Sequence, residues 1–300
     1  MNIYIILLIV LILLYILKKS VTDNFTTNTN KIAFLFITYE NHSKYNLIEK
    51  YFENIDKSKY TIYSHAKNSK NVTNPLIKNN LIKKYIDSKW GRFSIYEIMY
   101  ELLRQAYKDP LNKYFLFISD STIPIKSFNN LYTYLMNNNK SFIESMNIPK
   151  HQTNLLFKLQ EKSDILKKAS QWVCLNRKHT KILLDSYKKA FELFQTEFKT
   201  LPSIKFNITI PDEFVIPTIL NLTLENYNDE IIDKNLTIVK WKNCNINNIE
   251  PIIKKSSPCE YLEITDSELN TLINGHHFFI RKINKKCILN ENILINLFDK

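Results

Sequence analysis

Two segments of the sequence are almost continuously apolar over the length of one strand. They are KIAFLFIT, from Lys31 to Thr38, and KYFLFIS, residues 113–119, and polar residues bound both. A strand with one solvent-exposed face alternates apolar and polar residues, whereas a strand buried on both faces does not. Both segments are therefore predicted to be central strands of a sheet that is covered on both sides.

Helical patterns separate these strands along the chain. Apolar residues recur at helical spacing over residues 44–55 and 92–109, and the second pattern ends at Asp109-Pro110, a typical helix stop. A further strand is predicted at residues 60–65. Strands that alternate with helices are typical of α/β folds, in which a mainly parallel sheet lies between helices and ligands bind beyond the carboxyl ends of the strands.

The later half of the chain continues the pattern without an internal repeat or a second core boundary. The segment ASQWVCLNRKH, residues 169–179, predicts a strand that leads into one long helix through residue 198, and another strand is expected at residues 236–241. We predict one folded domain over residues 31–300. A membrane anchor at residues 1–19 and a short polar stem at residues 20–30 are predicted to precede it.

The predicted anchor is the segment MNIYIILLIVLILLYIL, which has no charged side chain and is followed by Lys18 and Lys19. Its length is near the lower limit of the about 17–25 apolar residues that span a bilayer. No basic region precedes it and no small-residue cleavage site follows it, which favours an uncleaved single-pass anchor over a signal peptide. The lysine pair favours a cytoplasmic domain by the positive-inside rule, and the orientation stays open.

The glycine and cysteine contents exclude several classes of protein. Gly91 and Gly275 are the only glycines, so neither a P-loop nor a G-x-G-x-x-G dinucleotide-binding turn is present. The four cysteines lack any C-x-x-C spacing, which argues against a zinc ribbon or a thioredoxin-like motif. One or two disulfides and four free buried thiols are all compatible with the sequence.

The 41 Lys and Arg residues exceed the 29 Asp and Glu residues, and the net charge of +12 favours an anionic partner. One interpretation is a non-catalytic, membrane-tethered basic protein that binds nucleic acid or acidic lipid. Such a protein needs clustered basic residues with exposed aromatic rings. Here the lysines are spread along the chain and most aromatic residues lie in strand-like runs, so nucleic acid is not predicted as a partner.

Two polar motifs interrupt apolar surroundings. SDSTIPIKS, residues 119–127, follows a predicted buried strand, where a substrate pocket would lie, although Asp and Ser are also frequent in plain turns. In NITIPDEFVIPTIL, residues 207–220, Asp212 and Glu213 follow Pro211. A proline in the first turn and acids near the positive end of the helix dipole are ordinary features of a helix start. Both motifs allow a structural as well as a functional interpretation.

Four segments, by their order and spacing, resemble the core-2/I-branching glycosyltransferase family of animal β-1,6-N-acetylglucosaminyltransferases, peptide xylosyltransferases and a plant branch. They are SKWGRFSIYEIMYELLRQAYKDPLNKYFLFISDSTIPIKS, SQWVCLNRKH, IPDEFVIPTIL and HHFFIRKIN, and the resemblance extends over about residues 31–283. It implies a glycosyltransferase A-type α/β fold and an inverting transfer of N-acetylglucosamine or xylose from a UDP-sugar to a glycan or protein acceptor. The family works without a metal held by Asp-x-Asp, and no D-x-D triplet occurs here, so no metal or other cofactor is expected.

The resemblance implies catalytic and diphosphate-binding roles for matched residues. Glu213 corresponds to the family's catalytic base, which takes the proton of the acceptor hydroxyl. Lys282, with Arg281 beside it, corresponds to the basic group that neutralises the departing diphosphate in place of a metal. A companion basic residue falls upstream, where Lys255 and its neighbour Lys254 are offset by a few residues. Without the resemblance, RKINKK would be interpreted as a solvated basic face.

The resemblance also implies contacts with the nucleotide. Thr38 and Tyr39, at the end of the first strand, are expected near uracil, and Trp90 belongs to a family segment close to the nucleotide. The family's acidic residue after the second strand has no match here, because that position offers His65 instead. This departure leaves the ribose contact and a strict preference for UDP open.

For the acceptor, the resemblance points to Asp120, whose carboxylate suits sugar hydroxyls because it accepts two hydrogen bonds. Trp172 could stack on a sugar face, although burial in a strand is the commoner fate of such a tryptophan. A degenerate transferase that binds UDP-sugar without turnover is an alternative. The predicted location is a single-pass membrane protein of a Golgi/ER-type or viral-factory membrane.

Overall fold

The computed structural model describes residue 12 and residues 29–147, 166–194, 210–240 and 258–299. In these residues the strands are β1 (Lys31–Thr38), β2 (Tyr60–Ala66), β3 (Asn112–Ser119), β4 (Ile123–Pro124), β5 (Ser141–Phe142), β6 (Ser145–Asn147), β7 (Lys167–Ala169), β8 (Cys174–Asn176), β9 (Ile231–Ile232), β10 (Thr237–Val239), β11 (Tyr261–Glu263), β12 (Phe279–Arg281) and β13 (Ile283–Ile288).

The α-helices in the same residues are α1 (Tyr45–Phe52), α2 (Pro75–Lys78), α3 (Phe93–Ala106), α4 (Phe128–Met136), α5 (Arg177–Asp185), α6 (Tyr187–Phe194), α7 (Pro211–Thr223), α8 (Tyr227–Glu230), α9 (Asp266–Asn274) and α10 (Glu291–Phe298). Short 3-10 helices span Lys57–Lys59 and Ser69–Asn71. The predicted elements of the first half are therefore all present, with ends that differ by a few residues.

The described residues form a central six-stranded sheet in the order β2-β1-β3-β8-β5-β9. Strand β1 is parallel to both β2 and β3, and β5 is parallel to β9. Strand β8 is antiparallel to its neighbours β3 and β5. The predicted α/β architecture with a mostly parallel sheet is confirmed.

Helices cover both faces of this sheet, which explains the continuous apolar runs. Along β1, Phe34 and Phe36 belong to one hydrophobic core with residues of α1, α4, α9 and α10. Ala33 and Leu35 belong to a second core on the other face, with residues of α3, α5, α6 and α7. Because successive side chains of a strand point to opposite faces, each residue of the run has an apolar environment.

An aromatic cluster in the first core makes Phe34 a sensitive position. Its side chain is 1% exposed, and its ring lies 4.9 Å from that of Phe52 and 6.1 Å from that of Phe128, centroid to centroid. We expect Phe34→Ala to lower the free energy of unfolding by about 3–5 kcal/mol, because it removes buried contacts and leaves a cavity.

Urea denaturation of this variant would test the expectation. Leu262→Ala is the matched control, because Leu262 is 55% exposed, and we expect a change of no more than about 0.5 kcal/mol for it. A Phe34→Ala variant as stable as this control would contradict the assignment of Phe34 to the core.

One predicted element is corrected by the structure. The single long helix expected after residue 176 is divided into α5 and α6 at Ser186, whose ψ of 10° departs from the helical value. The chain keeps helix-like hydrogen bonds across the break, since Ser186 N donates to Ile182 O (3.0 Å) and Ala190 N donates to Ser186 O (2.9 Å). Apolar periodicity continues through such a break, which is why the pattern did not reveal it.

Strand β12, in the C-terminal part of the chain, lies next to the segment that follows β3 of the central sheet. In a three-stranded sheet of the described residues, β12 lies between β10 and β4, antiparallel to β4. Ile280 pairs with Ile123, only four residues after the end of β3. This pairing brings Arg281 and Lys282 beside the turn that follows β3.

The predicted anchor and stem, residues 1–30, lie outside the described residues except for positions 12, 29 and 30. Nowhere in the described part does a helix combine the length and apolar character needed to cross a bilayer. Among the described cysteines, Cys174 and Cys287 carry free buried thiols, and Cys259 is disulfide-bonded.

Candidate active site

The carboxyl ends of the first three strands meet at one edge of the sheet. Thr38 pairs with Ala66 of β2, and Ile37 pairs with Ser119 of β3. Directly beyond these ends, Tyr39 N donates to Asp120 Oδ2 at 3.0 Å. The structure therefore brings together three predicted site residues, Thr38, Tyr39 and Asp120.

In the Ser-Asp-Ser-Thr turn at the end of β3, the hydroxyl residues Ser119, Ser121 and Thr122 are buried. Ser119 Oγ hydrogen-bonds with Thr122 Oγ1 (2.7 Å) and accepts from Ser121 N (3.2 Å). Ser121 O in turn accepts from Ile283 N at 2.8 Å. This last bond ties the turn to the start of β13, so the RKI segment is attached to the edge of the sheet at which β1 and β3 end.

Arg281 occupies the centre of the arrangement. Its Nε donates to Ser119 Oγ (3.2 Å), and its guanidinium carbon lies 4.7 Å from the centre of the Trp172 ring, in cation–π geometry. Burial lowers the pKa of Arg281 to about 10, while the carboxylates of Asp120, Glu213 and Glu260 act in the opposite direction. The group stays positively charged at neutral pH, and three carboxylates from separate elements lie within its electrostatic reach.

Trp172 is covered by this arginine. Its side chain is 6% exposed, and the adjacent Val173 O accepts from Phe117 N of β3 at 3.2 Å, which holds the segment against the sheet. The ring therefore supports Arg281 in this structure. Its predicted stacking on a sugar stays a prediction.

Glu213 lies in the first turn of α7, as the PDEF pattern predicts. Its N–H donates to Ile210 O at 2.9 Å, and its Oε2 forms an ion pair with Lys168 Nζ of β7 at 3.0 Å. Strand β7 is fastened to the same helix, because Thr218 Oγ1 accepts from Lys167 N (3.2 Å) and donates to Lys167 O (3.1 Å). Hydrogen bonds between the Thr218 hydroxyl and the backbone of Lys167 therefore hold the strand of Lys168 against the helix of Glu213.

Asp212 has a different environment from its neighbour. It is 6% exposed, and its Oδ1 has no hydrogen-bond partner in the part of the chain that the structure describes. Burial raises its pKa to about 7, and the charge of Glu213 adds to the increase, whereas its own backbone N–H and Lys168 oppose it. One acid of the pair points inward and the other reaches a basic partner.

The raised pKa of Asp212 predicts a specific pH dependence of stability. The folded protein holds this proton up to pH about 7, whereas the group's ordinary pKa is 3.8. The stability that it contributes is therefore present at low pH and is lost as the pH rises through this window, by at most about 4 kcal/mol. Asp212→Asn, which stays neutral, is expected to gain stability relative to the wild type as the pH rises.

Urea denaturation at pH 5 and pH 8 would measure this difference. Asp185→Asn is the control, because Asp185 forms an exposed ion pair with Lys181. Parallel pH profiles for the wild type and Asp212→Asn would show that Asp212 ionises normally.

Lys282 is paired with a carboxylate. Its Nζ lies 2.7 Å from Glu260 Oε1, and Glu260 Oε2 also accepts from Asn284 Nδ2 at 2.7 Å. Both bonds hold the pKa of Glu260 below its usual value, and the bond from Lys282 has the larger effect. The predicted companion residues Lys254 and Lys255 lie outside the described residues.

Two further predictions concern the nucleotide side. Trp90 is 74% exposed, and the described residues show no hydrogen bond or ring contact between it and the other predicted site residues. His65, at the position where the family has an acid, is buried. Its Nε2 accepts from Ile86 N (3.2 Å), and burial lowers its pKa. His65 of β2 thus holds the segment that contains Ile86.

The described residues contain no group of three or more His, Cys, Asp or Glu side chains arranged to hold a metal ion.

The chain matches a known protein family. The family described as Core-2/I-Branching enzyme matches residues 32–273. The chain belongs to the core-2/I-branching enzyme family. The resemblance predicted from the four motifs is thereby confirmed.

A curated member of related sequence is "Glycosyltransferase BC10" of Oryza sativa subsp. japonica. It is 26% identical over 233 residues, which cover 70% of this chain and 57% of the rice protein. The chain thus spans little more than half the length of this relative.

The match to the core-2/I-branching family covers most of the predicted site. Asp120, Trp172 and Glu213 lie inside residues 32–273, whereas Arg281 and Lys282 lie beyond them. The roles of the last two therefore depend on the HHFFIRKIN motif and on the contacts described above.

Sequence reasoning missed Lys168 and Glu260, the ionic partners of the predicted base and the predicted diphosphate contact. Both are charged residues in a chain with 41 basic and 29 acidic residues, and neither belongs to a distinctive motif. Only their tertiary contacts distinguish them.

Proposed function

We propose that the protein is an inverting, metal-independent glycosyltransferase that moves N-acetylglucosamine or xylose from a UDP-sugar to a glycan or protein acceptor. One observation carries the proposal: a predicted base and a predicted diphosphate contact lie within electrostatic reach of each other. The charge of Glu213 acts to raise the pKa of the buried Arg281, against the larger effect of burial. A carboxylate and a cation so placed match the needs of a displacement at an anomeric carbon.

The proposed reaction is a single displacement. Glu213 accepts the proton of the acceptor hydroxyl as its oxygen attacks the anomeric carbon, from the side opposite the leaving group. The bond from the anomeric carbon to the diphosphate breaks, and UDP leaves as an anion that needs no proton. Arg281 and Lys282 stabilise the negative charge that develops, and such fixed cations are most effective in a site that excludes water.

The remaining predicted residues complete the proposed binding path. Thr38 and Tyr39 would contact the uracil, next to Asp120, to which Tyr39 N is bonded. Asp120 and Trp172 are proposed acceptor contacts, and Lys255 and Trp90 are proposed nucleotide contacts. The link between Tyr39 and Asp120 supports a path from the end of β1 to Arg281.

In the structure both key groups already have ionic partners, Lys168 for Glu213 and Glu260 for Lys282. An incoming diphosphate would replace Glu260 on Lys282. This carboxylate on the predicted phosphate ligand is the observation that favours a second candidate, a protein that binds UDP-sugar without turnover.

The membrane part of the proposal is an uncleaved single-pass anchor at residues 1–19 in a Golgi/ER-type or viral-factory membrane. The two lysines after this segment favour a cytoplasmic domain, whereas the disulfide-bonded Cys259 favours an oxidising compartment. Protease protection in sealed membrane vesicles would decide between the two orientations.

A donor screen with EDTA present would test the function. The full-length chain in detergent is expected to release UDP from UDP-N-acetylglucosamine or UDP-xylose when a glycan or peptide acceptor is added. UDP, and not an oligonucleotide, is expected to raise the melting temperature in EDTA. Binding of UDP without turnover against a broad acceptor panel would favour the second candidate, and a requirement for Mn²⁺ or Mg²⁺ would contradict metal independence.

A further inference from the structure

Glu40 is an oriented carboxylate that none of the roles above uses. It lies in the loop after β1, and its Oε1 accepts from Asn68 Nδ2 (2.9 Å) and Asn71 Nδ2 (3.1 Å), both in the loop after β2. An ionised carboxylate has about four acceptor sites, two on each oxygen. Within the described residues Oε2 accepts no hydrogen bond, so one oxygen is fixed and the other is available.

Backbone bonds hold this carboxylate at the edge of the sheet. Beyond the strand pairing, Lys67 N donates to Thr38 O (3.0 Å) and Asn68 N donates to Tyr39 O (2.8 Å). Thr38 Oγ1 also donates to Glu40 O at 2.9 Å. The two loops therefore form one unit at the carboxyl ends of β1 and β2, where parallel sheets bind their ligands.

A positive charge on β13 acts on Glu40. The hydrogen bonds from Asn68 and Asn71 lower the pKa of Glu40, and the positive charge of Lys285 acts in the same direction. Lys285 lies on β13, three residues beyond Lys282. Glu40, which directly follows Tyr39 in the chain, thus lies within electrostatic reach of a lysine on the basic strand β13.

We infer that Glu40 binds the ribose hydroxyls of the donor nucleotide through Oε2 and so makes the site specific for ribonucleotides. The inference rests on the proposed function. A ribose carries two adjacent hydroxyls between base and diphosphate, and a carboxylate acceptor is a common partner for them in nucleotide sites. Glu40 would supply a carboxylate from the loop after β1, since His65 of β2, at the position for which the resemblance implies an acid, is buried.

A competing explanation is that Glu40 only joins the two loops. The variant Glu40→Gln separates these explanations, because its amide oxygen can still accept from Asn68 and Asn71 while the second acceptor oxygen is lost. The probes are UDP and 2′,3′-dideoxy-UDP, whose dissociation constants would be measured by calorimetry with the full-length chain in detergent and EDTA.

We expect the wild type to bind UDP at least about tenfold more tightly than the dideoxy nucleotide, since hydrogen bonds to a charged group are lost. Glu40→Gln is expected to weaken UDP binding about tenfold and to leave dideoxy binding nearly unchanged. Glu49→Gln is the matched control, because Glu49 accepts from Tyr45 on the exposed side of α1, and it should bind both nucleotides as the wild type does.

Equal weakening of both nucleotides in Glu40→Gln would overturn the inference in favour of a loop-joining role. Equal affinities in the wild type would also overturn it, whether or not the variant folds. A wild type that binds neither nucleotide would instead overturn the proposed function, and the ribose assignment with it.

Discussion

Glu213→Gln is expected to slow UDP release in the presence of donor and acceptor by about 10²- to 10⁴-fold, the usual contribution of a general base. The amide keeps the shape of the side chain but cannot take the acceptor's proton. UDP affinity should change little, because the proposed nucleotide ligands are untouched. Initial rates give the first quantity, and calorimetric titration with UDP gives the second.

The matched control is Glu225→Gln. Glu225 is an exposed glutamate shortly after the end of α7, so the two variants differ in whether the carboxylate faces the site. Equal rates for the wild type and Glu213→Gln would end the assignment of the base. They would direct attention to Asp212, the buried acid beside it.

Lys282→Met is expected to produce the second large effect. Removal of a fixed cation from the leaving group should lower kcat by about 100-fold, as loss of one charge-stabilising group does in other enzymes. It should also weaken UDP binding. The matched control is Lys181→Met, since Lys181 forms a comparable ion pair with Asp185 at 2.7 Å on the surface of α5.

Glu260→Gln makes this prediction more specific. It removes the carboxylate that lies 2.7 Å from Lys282 Nζ and competes with a diphosphate for that ammonium group. UDP is expected to bind more tightly to this variant, and the gain should disappear in the double variant with Lys282→Met. A gain that persists without Lys282 would mean that Glu260 acts on the nucleotide by another route.

The sheet and its two covering layers follow from local patterns. Strands β1 and β3 were predictable because an apolar run without polar alternation does not occur in a strand with one solvent-exposed face. The start of α7 was predictable from Pro211 and its two acids, since helix signals act within a few residues. The family followed from the order of four motifs, which is also a property of the chain alone.

Other features depend on contacts between distant residues. That Asp212 turns inward while Glu213 meets Lys168 is decided by how α7 packs on β7, 40 or more residues earlier in the chain. Arg281 reaches Trp172 and Ser119 because β12 pairs with β4. The local sequence does not indicate which of the many charged residues will contact each other.

The sequence by itself determined the central strands β1, β2 and β3, the helices α1 and α3 and the family, because these depend on side-chain periodicity and short motifs. Tertiary structure alone decided which charges meet: Glu213 with Lys168, Lys282 with Glu260, and Glu40 with Asn68 and Asn71. The physical reason is that ion pairs and hydrogen bonds act over a few ångströms in space. Two residues far apart in the chain come that close only through the order in which the strands pair and the helices pack.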